Sequence, residues 1–236
     1  MAEDHEIAGS NPAYPIVIIM KKFDYKALDA VLAKDKRVKK MIQLVGKHKF
    51  VLDLGCFSGY MIQKFIENEN KAWGTDTNKN FLIHCRKKGL EVFNADCERQ
   101  LPFDTSSFDV VVAGELIEHI YDTDKFLEEC NRVLRPGGEL IISTPNMGFW
   151  KHRLKLLLGL NMPFEYGGDA GFFIGHIRYF NLASFKRAIS GHGFSLERVE
   201  TSYYFSGNDG NSFLNIFIPN IFKNHGFHII AVLKKE

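Results

Sequence analysis

The sequence predicts an α/β fold in which a mostly parallel sheet is covered by helices on both faces. From about residue 50 onward, short apolar segments alternate with amphipathic segments of helical period. The apolar segments are continuous rather than alternating, as in strands that are buried on both faces. With 236 residues and a hydrophobic content of 45%, the chain is long enough to bury a substantial core.

The region before the alternation is predicted to be a polar arm followed by one helix from Phe23 to Lys47. The mostly charged run Lys34–Lys40 is predicted to be a solvated face of that helix. We expect residues 1–47 to form this arm and helix, and residues 48–236 to form the main domain.

The main domain is predicted to repeat strand and helix up to a fifth strand. Arg135 to Gly138 is predicted to end the helix that precedes this strand. Two aromatic-rich and glycine-rich stretches, at about 146–175 and 206–226, interrupt the pattern and are predicted to be lid insertions. The predicted strands are 50–54, 72–75, 90–94, 108–113, 139–143, 194–205 and 227–233, and the predicted helices are 58–67, 78–88, 124–134 and 181–190.

Charge and cysteine content restrict the class of protein. The 30 basic and 28 acidic residues nearly cancel, which argues against a nucleic-acid partner. No two cysteines form a C-x-x-C pair, so we expect neither a zinc site nor a redox site, and we predict no bound metal. Scattered single cysteines and the lack of a long early apolar run predict a soluble, cytoplasmic protein. The cysteines are Cys56, Cys85, Cys97 and Cys130.

Ligands of an open parallel sheet bind beyond the carboxyl ends of its strands. After the first predicted strand, Gly55 permits a tight turn and Gly59 permits close approach of the backbone to a ligand, while Asp53 can accept a hydrogen bond from a cationic amino group. Taken alone, this turn fits an ordinary strand-to-helix connection equally well.

Acidic residues also follow the next three predicted strands. Asp76 lies about 20 residues after the first turn, where a carboxylate holds a ribose diol, although a helix N-cap is the alternative. Asp96 is placed to accept from an adenine amino group, with Cys97 beside it, and Glu115 follows the fourth strand. This ordered series is far more specific than any one of its members.

From about Lys47 to Phe194 the chain resembles the class I S-adenosylmethionine-dependent methyltransferases, especially the small-molecule branch that includes ubiquinone-biosynthesis enzymes. The chain departs from the family's usual pattern at Phe57, where a glycine is usual. The matching segments are Val51 to Tyr60, Gly74-Thr75-Asp76, Asp96, Leu101-Pro102-Phe103, Ser107-Phe108-Asp109, Glu118-His119 and Asn131 to Gly138.

The resemblance implies a Rossmann-like, doubly wound sheet of seven strands with the last strand antiparallel. It also implies that S-adenosylmethionine binds along the strand ends, with the ribose at Asp76, the adenine edge at Asp96 and Cys97, and the sulfonium side at Glu115. The methionine part is assigned to Asp53, Gly55 and Gly59, and the predicted cofactor site further includes Cys56 and Thr77.

The implied reaction is direct displacement of the methyl group by an oxygen, nitrogen or carbon nucleophile of a small-molecule acceptor. His119 and His176 are the predicted catalytic residues, and His152 is a further candidate base. His176 and Arg178 are predicted to contact the acceptor, as are Trp150 and Tyr166 of the first insertion. The aromatic residues of the insertions predict a partly apolar or lipid-linked acceptor.

Competing interpretations remain open. A non-catalytic binding module of the same fold is the main alternative, because Phe57 alters the cofactor turn. A nicotinamide-dependent oxidoreductase is disfavoured because the turn lacks G-x-G-x-x-G, and no motif of nucleic-acid methyltransferases is found. The basic amphipathic stretch Gly148–Leu160 fits a lid packed on the core or peripheral contact with a membrane. The oligomeric state is not predicted.

Overall fold

The computed structural model describes residues 24–160, 176–202 and 226–236, and over these residues the chain forms one seven-stranded sheet flanked by helices. The strands are β1 Phe50–Leu54, β2 Lys71–Asp76, β3 Val92–Asn94, β4 Phe108–Gly114, β5 Leu134–Pro145, β6 Phe194–Ser202 and β7 His228–Lys235. The α-helices are α1 Tyr25–Lys34, α2 Lys36–Val45, α3 Tyr60–Glu67, α4 Lys79–Lys87, α5 Thr123–Val133, α6 Trp150–Leu157 and α7 Leu182–Ile189, and a 3-10 helix spans Ile117–His119.

The sheet has the strand order β3-β2-β1-β4-β5-β7-β6. The first five strands are parallel, whereas β7 pairs antiparallel with both β5 and β6. The predicted α/β fold with seven strands and an antiparallel last strand is therefore confirmed. The strand order reverses between β1 and β4, and the carboxyl ends of these two strands border the crevice in which such sheets bind ligands.

Side-chain alternation along the strands builds one core on each face of the sheet. On one face, α2, α3 and α4 pack over residues such as Val51, Val110 and Val112. On the other face, α5, α7 and the 3-10 helix pack over residues such as Leu52 and Leu54. Both faces are covered, which explains why the predicted strands have continuous apolar sequences.

The single helix predicted from Phe23 to Lys47 is wrong, because the structure has two helices with a break at Asp35. This residue is extended, with φ −67° and ψ 116°, and its carboxylate accepts hydrogen bonds from the backbone N–H groups of Arg37 and Val38. An aspartate that satisfies these otherwise unpaired groups begins a new helix at this point. Helical periodicity continues through the break, so periodicity alone did not reveal it.

The solvated face predicted for Lys34–Lys40 is also wrong in part. The Asp35 and Arg37 side chains are only 6% and 11% exposed, and they form an ion pair with 3.1 Å between Nη2 and Oδ2. Arg37 Nη1 also donates to Ser143 Oγ at the end of β5. This pairing places a buried cation of α2 beside the carboxyl edge of the sheet.

Strand β5 begins earlier than predicted, because Arg135 to Gly138 belongs to the strand rather than to a helix end. Leu134 pairs with Phe108, and the register shifts before Val110. Gly137 has φ +73°, and a Cβ on Gly138 would lie 2.9 Å from the carbonyl oxygen of Arg135. The two glycines therefore allow an irregular first segment of β5 to remain in the sheet.

Most of the two predicted insertions, and Tyr166 with them, lies outside the described residues. Within the first insertion, Asn146 forms a parallel bridge with Phe180, and α6 begins at Trp150 beside Phe149. Only His152 of α6 is buried, and Leu156, Leu157 and Leu158 are exposed. In the part of the chain that the structure describes, no helix has the length and apolar composition needed to cross a bilayer.

Candidate active site

The predicted cofactor residues gather at one edge of the sheet, where β1 to β4 end. Asp53 lies in β1, Asp76 is the last residue of β2, and Glu115 follows β4. Because the strands are parallel and adjacent in the order β3-β2-β1-β4, these carboxyl ends meet on the same side of the molecule. Asp96 follows β3 on the same edge, and His119 ends the 3-10 helix after Glu115.

The turn after β1 has left-handed backbone at both glycines. Gly55 has φ +68° and Gly59 has φ +74°, and a Cβ on Gly59 would lie 2.5 Å from Leu90 Cδ1. Gly59 is the N-cap of α3, and its N–H donates to the Cys56 carbonyl. The turn thus brings backbone and a helix N-terminus to the strand ends, an arrangement suited to a polar ligand.

Phe57 occupies the turn without disturbing this path. Its φ of +50° lies in the left-handed region, and its ring packs edge-on against Phe81 with centroids 4.5 Å apart. Its N–H donates to Asp76 Oδ2 over 3.0 Å, which joins the turn to the end of β2. The departure from glycine therefore carries some backbone strain but retains the hydrogen bond that closes the turn.

The Asp76 carboxylate is held in a fixed position at the end of β2. Oδ2 accepts from Phe57 N, and Oδ1 accepts from Asn78 N at 2.8 Å. Burial raises the pKa of Asp76, and the hydrogen bonds from the backbone at Asn78, Phe57 and Thr77 oppose that rise. The N-cap interpretation is not the arrangement found, because Asn78 is the N-cap residue of α4. Asp76 thus remains available for a diol.

Asp53 is a carboxylate held inside the protein, since only 3% of the residue is exposed. Burial raises its pKa well above 3.8, and the nearby Cys85 and Asp76 add to that rise. A buried carboxylate without a cation nearby is unfavourable. Asp53 is therefore suited to a positively charged group of a ligand.

The remaining predicted cofactor residues border these positions. Cys56 is buried, and Thr77 is exposed directly after Asp76. Asp96 is exposed and lies 3.5 Å from Arg99 Nε, while burial raises the pKa of the Cys97 thiol to about 12. Cys97 is therefore a neutral side chain at neutral pH, beside a carboxylate at the outer end of the row.

Glu115 is the centre of a polar network that the sequence did not predict. Ser143 Oγ donates to Glu115 Oε1 over 2.9 Å, and His228 Nε2 lies 3.4 Å from Oε2. Burial favours the protonated carboxyl, but His228, Arg37 and Ser143 outweigh burial and lower the pKa of Glu115 to about 2. Glu115 itself has φ +52°, so the chain turns sharply after β4 to present this carboxylate as an anion.

Glu118 lies three residues after Glu115, in an environment that raises rather than lowers the pKa of its carboxyl. It is 1% exposed, and burial together with the charge of Glu115 raises its pKa to about 8. Thr144 Oγ1 donates to Oε2 over 3.1 Å. The backbone carbonyl of Glu118 accepts from Ile177 N and Arg178 N, which fixes the 176–178 segment against the 3-10 helix.

The two predicted catalytic histidines meet beside Glu118. The ring centroids of His119 and His176 lie 4.9 Å apart, and His176 Nε2 lies 4.0 Å from Glu118 Oε1. Burial lowers the pKa of His176, and His119 lowers it further. Arg178 donates through its guanidinium to the backbone carbonyls of Ile120 and Tyr121, so its observed contacts hold the loop after the 3-10 helix.

Helix α1 also contributes to the site, which the sequence analysis did not predict. Asp29 accepts from Ser58 Oγ over 2.7 Å, and Lys88 Nζ lies 2.8 Å from Asp29 Oδ2. Tyr25 stacks on His84 of α4 with centroids 3.7 Å apart. Helix α1 is therefore tied to the turn after β1 and to the end of α4.

Some residues of the site that were not predicted could have been recognised from a pattern in the sequence. Ser143 and Thr144 are two polar residues directly after the apolar run Leu140–Ile142, and His228 directly precedes the apolar run of β7. Polar residues at the carboxyl end of a buried strand indicate a site in the same way as Asp53 does. Arg37 and Asp29 lie among many charged residues, and no local pattern distinguishes them.

His152 packs against the aromatic rings of Phe149 and Phe227. It is 2% exposed and lies edge-on to Phe149, with centroids 5.1 Å apart. Burial lowers its pKa from 6.5 to about 4, against the opposing effect of a hydrogen bond to the Asn146 backbone. Its observed role is therefore that of a neutral core residue.

The low pKa of His152 predicts a pH dependence of stability. As the pH falls from 6.5 to about 4, the unfolded chain takes up a proton at His152 that the folded chain does not, so the free energy of unfolding decreases. The loss reaches at most about 3 kcal/mol and stops below the folded-state pKa. Urea unfolding between pH 7 and pH 4 checks this, because His152→Leu should lose less stability than the wild type.

The matched control for that measurement is Leu154→Ala, since Leu154 lies on the same helix, is 46% exposed and carries no titratable group. The pH dependence of this variant should follow that of the wild type. Equal pH dependence in His152→Leu and the wild type would contradict the prediction.

Comparisons with known proteins agree with this geometry. Residues 52–142 match the family described as "Methyltransferase domain". A probable S-adenosylmethionine-dependent methyltransferase of Mycolicibacterium smegmatis is 30% identical over 149 residues, which are 62% of this chain and 52% of that protein. A ubiquinone biosynthesis O-methyltransferase of Coxiella burnetii is 30% identical over 136 residues, covering 55% of this chain and 56% of that protein.

The chain spans about half the length of these curated relatives. A solved S-adenosylmethionine-dependent methyltransferase structure from Thermotoga maritima aligns with a TM-score of 0.63 at 16% identity, over 90% of this chain and 94% of that one. This likeness shows the shared fold. Residues 52–142 are thus similar to a methyltransferase domain, and the described sheet shares the fold of the aligned structure.

Proposed function

We propose that this protein transfers the methyl group of S-adenosylmethionine to a small-molecule acceptor at the carboxyl edge of β1 to β4. One observation carries the proposal: an acidic residue lies at the end of each of four adjacent strands, and in spatial order these are Asp96, Asp76, Asp53 and Glu115. The spacing of such a row suits an extended ligand with separate polar groups.

The residues at this edge fit the chemical parts of the cofactor. Asp53 is a buried carboxylate suited to the ammonium of the methionine part, and Gly59 begins α3 in the turn directly after β1. Asp76 is fixed by backbone N–H groups so that its remaining lone pairs can accept from the ribose hydroxyls. Asp96 and Cys97 would lie at the adenine edge, bordered by Cys56 and Thr77 of the turns.

Bound S-adenosylmethionine supplies a methyl group that is already activated by its sulfonium. The protein then has to hold the acceptor in line with that methyl group, and such positioning contributes about 7–11 kcal/mol to barrier lowering. The anionic Glu115 would lie on the sulfonium side, where its charge favours the cation.

The acceptor would lie beside His119 and His176, which border the same edge. Arg178, Trp150 and Tyr166 are proposed to line it, Trp150 and Tyr166 on sequence grounds alone. One relative is named for O-methylation in ubiquinone biosynthesis, and the predicted acceptor here is likewise a small, partly apolar or lipid-linked molecule. We propose a hydroxyl-bearing acceptor, and we propose no nucleic-acid substrate.

Isothermal titration calorimetry with S-adenosylmethionine and S-adenosylhomocysteine tests the cofactor site. Asp76→Asn should weaken binding by about 10-fold to 100-fold, because hydrogen bonds to a charged group contribute about 1.5–3 kcal/mol. The matched control is Asp104→Asn, since Asp104 lies between β3 and β4 and outside this row. This control should bind like the wild type.

The absence of any heat or thermal shift with the wild-type protein would contradict the proposal and favour a non-catalytic module. Binding that is unchanged in Asp76→Asn would contradict the ribose assignment. If cofactor binds, transfer of a labelled methyl group to a panel of phenols, amines and lipid-linked acceptors tests the reaction itself.

A further inference from the structure

We propose that Glu118, His119 and His176 form a binding site for a divalent first-row transition-metal ion. One ligand atom from each residue lies within 4.8 Å of those of the other two. Two imidazoles and one carboxylate are the donors that zinc, iron and cobalt use in sites with open coordination positions. The sequence alone predicts no metal, because these donors are brought together only by the fold.

Glu118 gives the proposal its independent structural support. The residue is 1% exposed, and its Oε1 atom is buried with no hydrogen-bond donor among the described residues. A buried polar atom of this kind calls for a partner, such as a hydrogen-bond donor or a metal ion. Oε1 is also the carboxylate oxygen closest to His176, at 4.0 Å from Nε2.

Hydrogen bonds from neighbouring residues orient the Glu118 carboxylate, as they orient the ligands of metal sites. Thr144 Oγ1 donates to Oε2 over 3.1 Å, which leaves Oε1 directed toward the histidines. The backbone N–H groups of Ile177 and Arg178 donate to the Glu118 carbonyl, and they hold His176 next to the 3-10 helix. Hydrogen bonds that fix the first ligands are characteristic of metal centres.

The separation of the donors is compatible with an ion after small movements. A tetrahedral ion with ligands at about 2.1 Å needs donor atoms about 3.4 Å apart. The donors lie within 4.8 Å of one another, so binding of an ion requires side-chain rotations that bring them about 1 Å closer. Two imidazoles make Mg²⁺ and Ca²⁺ poor occupants, because both prefer oxygen ligands.

Three protein ligands leave positions for water or for an oxygen atom of the acceptor. In that role the ion would fix a hydroxyl acceptor next to the methyl donor, and this part rests on the proposed function. A histidine bound to an ion cannot also accept a proton, so the metal site replaces the prediction that His119 and His176 act as bases.

Titration of the purified full chain with Co²⁺, followed by visible absorption and calorimetry, tests the site. We expect one Co²⁺ per chain in the wild type. His119→Ala, His176→Ala and Glu118→Gln should each weaken binding at least about 10-fold, because loss of a residue that only orients a ligand already weakens metal binding about 10-fold to 100-fold. His48→Gln is the matched control, because His48 is also paired with a carboxylate, 3.2 Å from Glu69, but is exposed.

Thr144 separates a positioning role from general damage to the fold. Thr144→Val should weaken Co²⁺ binding about 10-fold while Thr144→Ser retains it, since only the hydroxyl orients Glu118. Circular dichroism identifies any variant that fails to fold. His119 and His176 are partly exposed, so their variants test the metal site even if Glu118→Gln does not fold.

The proposal is overturned if the wild type binds no Co²⁺ at millimolar concentration, or if folded His119→Ala and His176→Ala bind it as tightly as the wild type. The measurement needs neither cofactor nor acceptor. Calorimetry with S-adenosylmethionine on chelator-treated protein therefore distinguishes failure of the metal site from failure of the proposed methyl transfer.

Discussion

Replacing Gly59 with alanine is expected to lower the free energy of unfolding by about 3 kcal/mol and to impair cofactor binding. Two costs combine at this position. Gly59 has φ +74°, where a Cβ is strained, and the new atom would lie 2.5 Å from Leu90 Cδ1 and 2.9 Å from Cys85 Sγ. Since Gly59 begins α3, relief of the clash would displace the turn at the strand ends.

Gly89 provides a control that separates the cost of the left-handed backbone from the cost of the close contacts. Gly89 has φ +75°, yet a Cβ there would have no neighbour within 4 Å. Gly89→Ala should therefore cost only the backbone term, about 1 kcal/mol, and leave cofactor affinity unchanged. Urea unfolding of the two variants measures the difference, and equal destabilisation would show that the close contacts at Gly59 relax without cost.

Asp53→Asn is expected to change stability and cofactor affinity in opposite directions. In the wild type the pKa of the Asp53 carboxyl is raised, so above about pH 3.8 the folded chain retains a proton that the unfolded chain loses. The free energy of unfolding therefore declines as the pH rises from about 3.8 toward the folded-state pKa of Asp53. Asparagine has no such titration, and the ligand-free variant should be more stable at neutral pH. Affinity for S-adenosylmethionine should fall about 100-fold, because a buried charge pair is lost.

Asp109→Asn is the matched control at the opposite edge of the sheet. Asp109 accepts from Phe50 N over 2.8 Å and from Arg135 Nη1 over 2.7 Å near the start of β4. This variant should lose stability and keep its cofactor affinity, the reverse of Asp53→Asn. Thermal unfolding and calorimetry measure both quantities, and reduced stability of ligand-free Asp53→Asn would contradict the argument.

Local sequence patterns predicted the parallel part of the fold well. The alternation of apolar and amphipathic segments placed β1 to β4 and their helices, because strand and helix periods depend on near neighbours in the chain. The placement of the acidic residues at one edge of the sheet was predicted for the same reason, since each lies at the end of its own strand. The common position of Asp53, Asp76 and Glu115 follows from the rule that the carboxyl ends of parallel strands lie at the same edge of a sheet.

The contacts between distant segments were beyond the same reasoning. Arg37 was assigned to a solvated face, but it pairs with Asp35 and reaches Ser143, a residue of another element. Likewise, nothing near His176 in the sequence indicates that it lies beside Glu118. Such pairings depend on how α2, β5 and the 176–178 segment pack, and the spacing of residues within one element carries no information about that packing.

The position of β7 has a consequence for how the chain folds during its synthesis. Strand β7 follows β6 in the sequence but lies between β5 and β6 in the sheet. A nascent chain that has not yet released His228 from the ribosome therefore has an open backbone edge on β5, and among the described residues β6 has only β7 as a partner. Open strand edges recruit other chains. We expect chaperone dependence to be greatest during that interval of translation.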